Sequence, residues 1–175
     1  SIKGNIEAAK ELLKYKADVN VKNLSKGDAL IFAVLNKKPE MVRVLLTAGA
    51  RVGEKYDEGK TALIMAAEEG STDIVKLLIT GKADVNAADQ NGVTALMIAC
   101  EKGHAGMAEA LLNAGADFNK KSKYGDTALG KAIAGENERI IIMLAGKIGT
   151  SDRHDALFQA VGVGNLEVIR LLLTR

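Results

Sequence analysis

Apolar residues along this chain fall into short helical stripes that recur in pairs. The first stripe opens on Thr or Asp, continues with Ala-Leu, and has a second Ala three residues after the Leu. It reads DALIFAVLNK from Asp28, TALIMAAEEG from Thr61, TALMIACEKG from Thr94, TALGKAIAGE from Thr127 and DALFQAVGVG from Asp155. Residues three and four apart share a helix face, so each block predicts a short amphipathic helix. The leading Thr or Asp supplies an N-cap oxygen for an orphan backbone N–H. The second stripe reads EAAKELLKYKADVN from Glu7, EMVRVLLTAGARVG from Glu40, DIVKLLITGKADVN from Asp73 and GMAEALLNAGADFN from Gly106. Leu30, Leu63, Leu96 and Leu129 recur every 33 residues, and Leu157 follows after only 28.

The punctuation agrees with this reading. Gly70, Gly103 and Gly164 close first helices. Asn5, Ser71, Asn137 and Asn165 stand where a second helix takes its N-cap, and Pro39 at a first helical position. Gly49 and Gly115 end second helices, whereas Lys16 and Lys82 hold that place in two repeats. A left-handed backbone there would cost lysine about 1 kcal/mol relative to glycine. Helices this short are unstable alone, so stability must come from stacking neighbours.

Thr-Ala-Leu-x-x-Ala-Ala-x-x-Gly, followed by Ile-Val-x-Leu-Leu and Gly-x-Ala-Asp-Val-Asn, resembles the ankyrin repeat over nearly the whole chain. Ala29, Ala62, Ala95, Ala128 and Ala156 stand where that family usually has Pro. Ile31, Ile64, Met97, Gly130 and Phe158 stand where it usually has His. The resemblance implies an all-α ankyrin-repeat solenoid, helix–turn–helix units joined by finger loops. It would hold five to six repeats as a single array over 1–175, the first and last incomplete. Boundaries fall near 1–23, 24–56, 57–89, 90–122, 123–150 and 151–175.

Composition adds bounds. Hydrophobic residues are 47% and aromatics 3%, so the core is aliphatic, built on Leu, Ile, Val, Ala and Met. A net charge of +2 gives no global footprint for nucleic acid or membrane. Cys100 is the single cysteine, so no internal disulfide forms. That fits a reducing compartment, and a cytoplasmic location is expected. No apolar run approaches a membrane span.

The array is expected to open inside a repeat, with Ser1 at the end of a first helix and a second helix from Glu7 to Lys14. It would close at Arg175 straight after another second helix. Ile6 and Leu12 would then lack a preceding first helix, as in a segment of a longer protein or an altered array. The five-residue deficit before Leu157 falls within 146–153 and predicts a shortened fifth finger.

The resemblance places partner binding on the finger tips and first-helix ends. The finger positions are Lys22, Leu24 and Ser25; Lys55, Tyr56, Asp57, Glu58 and Lys60; Gln90, Asn91 and Val93; Lys121, Lys123, Tyr124 and Asp126. The helix-end positions are Leu35, Asn36, Glu68, Glu69, Glu101 and Lys102. These positions vary between repeats while their neighbours recur, as on a surface free to be tuned. Tyr56 and Tyr124 offer interface anchors, or each lies against its own finger. Glu68, Glu69 and Glu101 make the central helix ends acidic; Lys120, Lys121 and Lys123 make the fourth finger basic.

The expected function is therefore a protein–protein interaction scaffold, a monomer binding another protein. A structural spacer or self-associating segment is the alternative, and nucleic-acid contact through the lysine fingers is disfavoured by the lack of interleaved aromatics. No catalysis, cofactor, metal site or small-molecule substrate is expected. His104 sits in a repeat turn, His154 lacks further ligands, Cys100 lies in an apolar helix, and no phosphate-binding loop is present. Asn20, Asn86 and Asn119 resemble ankyrin asparagines hydroxylated by an oxygen-sensing dioxygenase, a spacing the repeat consensus itself produces.

Overall fold

The computed structural model describes residues 2–24, 27–147 and 149–174. Ser1, Ser25 and Arg175, which figure in the expectations above, lie outside the described residues. The chain divides into two compact units, Ser1–Asp84 and Val85–Arg175.

The first unit holds α1 (Ile2–Lys14), α2 (Ala29–Leu35), α3 (Pro39–Thr47), α4 (Ala62–Glu68) and α5 (Thr72–Thr80). First helix packs on first helix, α2 against α4. Second helix packs on second, α1 against α3 and α3 against α5. The second unit holds α6 (Ala95–Glu101), α7 (Ala105–Asn113), α8 (Ala128–Ala134), α9 (Glu138–Ala145), α10 (Thr150–Val163) and α11 (Leu166–Leu173). There α6, α8 and α10 form one row and α7, α9 and α11 the other. The repeating leucines Leu30, Leu63, Leu96 and Leu129 are buried, as are the Ala residues three positions on. Among the described residues no helix is long and apolar enough to cross a membrane.

Asp28, Thr61, Thr94 and Thr127 cap first helices, each accepting from the N–H three residues on. Pro39 opens α3. Lys16 and Lys82 adopt the left-handed conformation (φ 62° and 67°) in the place of Gly49 and Gly115. Lys37 and Glu136 do the same (φ 52° and 54°) where Gly70, Gly103 and Gly164 end other first helices.

Neighbouring repeats are buckled by asparagine. Asn20 accepts from Arg51 N–H (2.9 Å) and donates to Gly49 O (3.3 Å). Asn86 accepts from Asp117 N–H (2.7 Å) and donates to Gly115 O (3.2 Å). Gly53 occupies the same register and has no side chain to do this.

Three local expectations fail. Asn5 does not cap a helix from Glu7; it lies inside α1, which starts five residues earlier. Asp155 does not cap a first helix; it lies within α10, which begins at Thr150. Among the described residues, those between α9 and α10 form no finger. Between Gly149 and Gly162 no glycine or proline interrupts the helix, so residues 150–154 add turns to α10 instead of forming a loop.

Candidate protein-binding surface

Each finger is closed by one backbone bond across five residues. Asn23 N–H donates to Gly27 O, Tyr56 to Lys60 O, Asp89 to Val93 O and Ser122 to Asp126 O, all at 2.9–3.0 Å. Side chains lock the turns. Asp89 Oδ1 accepts from the N–H groups of Asn91 and Val93, both at 2.8 Å. Ser122 Oγ accepts from Tyr124 and Asp126 N–H, both at 3.1 Å. Lys123 N–H donates to Asn91 O at 2.8 Å, joining the two fingers of the second unit edge to edge. Gly92, left-handed at φ 77°, permits that approach, since a Cβ there would come 3.2 Å from the Ser122 backbone.

In the first unit, Tyr56 is half-buried and its hydroxyl donates to Asp28 Oδ2 at 2.6 Å. Asp28 thus caps α2 with one oxygen and holds the next finger with the other. Burial and then the Asp28 hydrogen bond push the Tyr56 pKa far above the ordinary phenol value. Tyr56 is a structural pin here, held against the preceding repeat. Lys22 pairs with Glu54 at 2.7 Å and stands 6.0 Å from the centroid of the Tyr56 ring.

The helix-end acids are matched by lysines. Lys60 lies 2.9 Å from both Glu58 and Glu68, and these bonds hold its pKa above the usual lysine value. Glu69 pairs with Lys37 at 3.1 Å. In the second unit, Lys131 bridges Glu101 (3.3 Å) and Asp126 (3.4 Å). Burial works against the charge of Lys131, but these carboxylates outweigh it and raise its pKa. The charge contrast expected along the helix ends is therefore largely offset within each unit. The lysine run is partly engaged too: Lys120 donates to Asn86 O at 2.8 Å, and Lys121 lies 3.8 Å from Asp155.

Among the remaining positions, Asp57 and Glu58 form a single 3₁₀ turn at a finger tip, with Glu58 left-handed at φ 59°. Lys55, Gln90, Lys102 and Lys123 are exposed, and Asn91 is half-buried. Tyr124 is 77% exposed, unlike Tyr56. Leu24 is fully exposed and Leu35 is 46% exposed.

Sequence reasoning missed Phe32, also 46% exposed and one turn from Leu35 on α2. Its ring lies against Gly27 at the base of the first finger, 2.9 Å from where a Cβ would stand. The available signal was that Phe32 shares its register with Lys131 and Gln159, a position that does not require an apolar residue. Leu24, Phe32 and Leu35 are exposed apolar residues on the first finger and α2 of this unit, besides Leu12, Tyr15 and Val21 elsewhere on it.

Cys100 is buried, and burial pushes its thiol up to about 12, away from nucleophilic chemistry. His104 stands at the N-cap position of α7 without capping it. Among the described residues no group of three or more His, Cys, Asp or Glu side chains is placed to hold a metal ion.

A family model described as ankyrin repeats (3 copies) matches residues 30–122. One described as LRRK2 ANK repeat matches residues 83–175, and one described as ankyrin repeats (many copies) matches residues 1–46. No curated protein matches the chain.

Proposed function

This chain belongs to the ankyrin-repeat family, and from that premise we propose that it binds a partner protein through its finger tips and first-helix ends. Ankyrin repeats are generally modules for protein–protein interaction. The observation that carries the reading is the exposure of Leu24, Phe32 and Leu35 on the first unit. They are large apolar groups on a unit whose finger and helix-end charges are paired with one another, such as Lys60 with Glu58 and Glu68. Apolar anchors surrounded by satisfied charges are the arrangement in which a few residues supply most of the binding energy. The paired charges add orientation and selectivity rather than affinity. In the second unit, the exposed Tyr124 beside Lys123 offers an aromatic anchor with a cation next to it, suited to a partner carrying carboxylates.

The test is affinity capture from host lysate with mass spectrometry, using wild type, Phe32→Ala/Leu35→Ala, and Lys55→Glu/Lys123→Glu/Tyr124→Ala. Circular dichroism checks that each variant folds. A protein captured by wild type and lost by either variant, with affinity down about tenfold or more, supports the reading. Equal capture by all three, or none by wild type, rejects it.

A further inference from the structure

The fourth finger has an open edge where the third has a filled one. One repeat earlier, Asn86 accepts from Asp117 N–H and donates to Gly115 O, and Asn91 O accepts from Lys123 N–H at 2.8 Å. Those three partners are backbone groups of the following repeat. A Cβ on Gly92 would meet that backbone at 3.2 Å.

The same register positions on the fourth finger are Asn119, Tyr124 and Gly125. Among the described residues the Asn119 side chain has no hydrogen-bond partner, and Tyr124 O accepts no backbone N–H. A Cβ on Gly125 would meet nothing within 4 Å. Beside this edge lies a cleft of about 40 Å³, lined by Asn119, Gly125, Gln159 and the buried Leu129 and Ala156. It has the room of a few water molecules, enough for a small side chain and too little for an aromatic one. Lys121 and Asp155 also line it and lie 3.8 Å apart, so their charges offset.

We propose that this notch between the fourth finger and α10 takes an extended segment of a partner protein, its backbone bonded to the Asn119 amide and Tyr124 O and a small uncharged side chain in the cleft. What fills the matching place one repeat earlier is polypeptide backbone. The groups left open here call for the same alternation of N–H and C=O. An asparagine amide donates and accepts at once, so it matches a peptide unit. A DNA backbone presents acceptors alone and leaves Tyr124 O without a donor. The inference rests on the protein-binding reading above and adds to it a separate site and the form of its occupant.

The probe is a displayed library of random peptides of about twelve residues, selected against the full chain. Selected peptides are expected to shift the NMR signals of the Asn119 side-chain amide and of Tyr124 and Gly125. Asn119→Ala is expected to weaken them about tenfold or more, the worth of two hydrogen bonds to backbone. Gln159→Trp, at an exposed position, fills the cleft and is expected to abolish binding. It tests the site should Asn119→Ala disturb the fold. Phe32→Ala/Leu35→Ala is expected to leave peptide affinity unchanged. Peptides unmoved by both notch variants but lost in the Phe32→Ala/Leu35→Ala protein overturn this inference and leave the protein-binding reading standing. A selection that yields no binder overturns it too. So does concentration-dependent self-association that Asn119→Ala abolishes, since the notch would then hold a second copy.

Discussion

The hydroxyl of Tyr56 donates to Asp28 Oδ2 at 2.6 Å, while Asp28 Oδ1 accepts from the Ile31 N–H at 3.0 Å. One carboxylate thus ends a helix and fastens the next finger. Tyr56→Phe should lower stability by about 1–2 kcal/mol, the worth of a half-buried hydrogen bond to a charged group. Asp28→Ala should cost more, because it removes the cap and leaves the phenol without its acceptor. Urea denaturation of both, with the double mutant, measures the coupling.

This pair also sets a pH dependence. Tyr56 has its pKa raised from 10.0, by burial first and by Asp28 second, so the folded state holds its proton more tightly than the unfolded chain. Its contribution is complete below the unfolded value of about 10 and declines as the pH rises past it. Between about pH 10 and 11, wild type should lose stability faster than Tyr56→Phe. Parallel slopes for the two would contradict the linkage.

Asn86→Ala removes two bonds that buckle successive repeats and should cost about 1–2 kcal/mol. Gly53 stands in the same register, and a Cβ there meets nothing within 4 Å. Gly53→Asn should therefore add a buckle and raise the urea midpoint, by about 0.5–1 kcal/mol in stability. If Gly53→Asn destabilises, the asparagine register is not transferable between repeats.

Lys82 holds a left-handed conformation that glycine adopts freely. Lys82→Gly should stabilise by up to about 1 kcal/mol, offset in part by the greater freedom of an unfolded glycine. Gly115→Lys should destabilise by a similar amount, a reciprocal check by thermal melting.

Thr127 and Asp155 look alike in sequence, each opening an Ala-Leu block. Thr127→Ala should cost about 1 kcal/mol as a lost cap. Asp155→Ala, in the interior of α10 and paired with Lys121 only at 3.8 Å, should stay within about 0.5 kcal/mol. A large loss at Asp155 would restore it as a cap.

The candidate surface was legible only in part. Fingers and helix ends follow from the register, and Leu24, Leu35, Lys123 and Tyr124 are exposed there. The roles of Tyr56 and Phe32 were not legible. A tyrosine on a finger reads the same whether its hydroxyl meets water or Asp28, 28 residues away. A phenylalanine in an apolar stripe reads as core until its neighbours leave one side open.

What the sequence determined by itself is what depends on neighbours along the chain. The 33-residue period, the caps at Asp28, Thr61, Thr94 and Thr127, and the left-handed places of Lys16 and Lys82 are set within a turn or two of backbone. Only the tertiary structure decided what depends on the adjacent repeat. It decided that residues 150–154 continue a helix, that Glu68 and Glu69 are matched by Lys60 and Lys37, and that Phe158 stays uncovered where Ile31 is buried. Those outcomes turn on packing and desolvation between segments about 30 residues apart, which a local pattern does not encode.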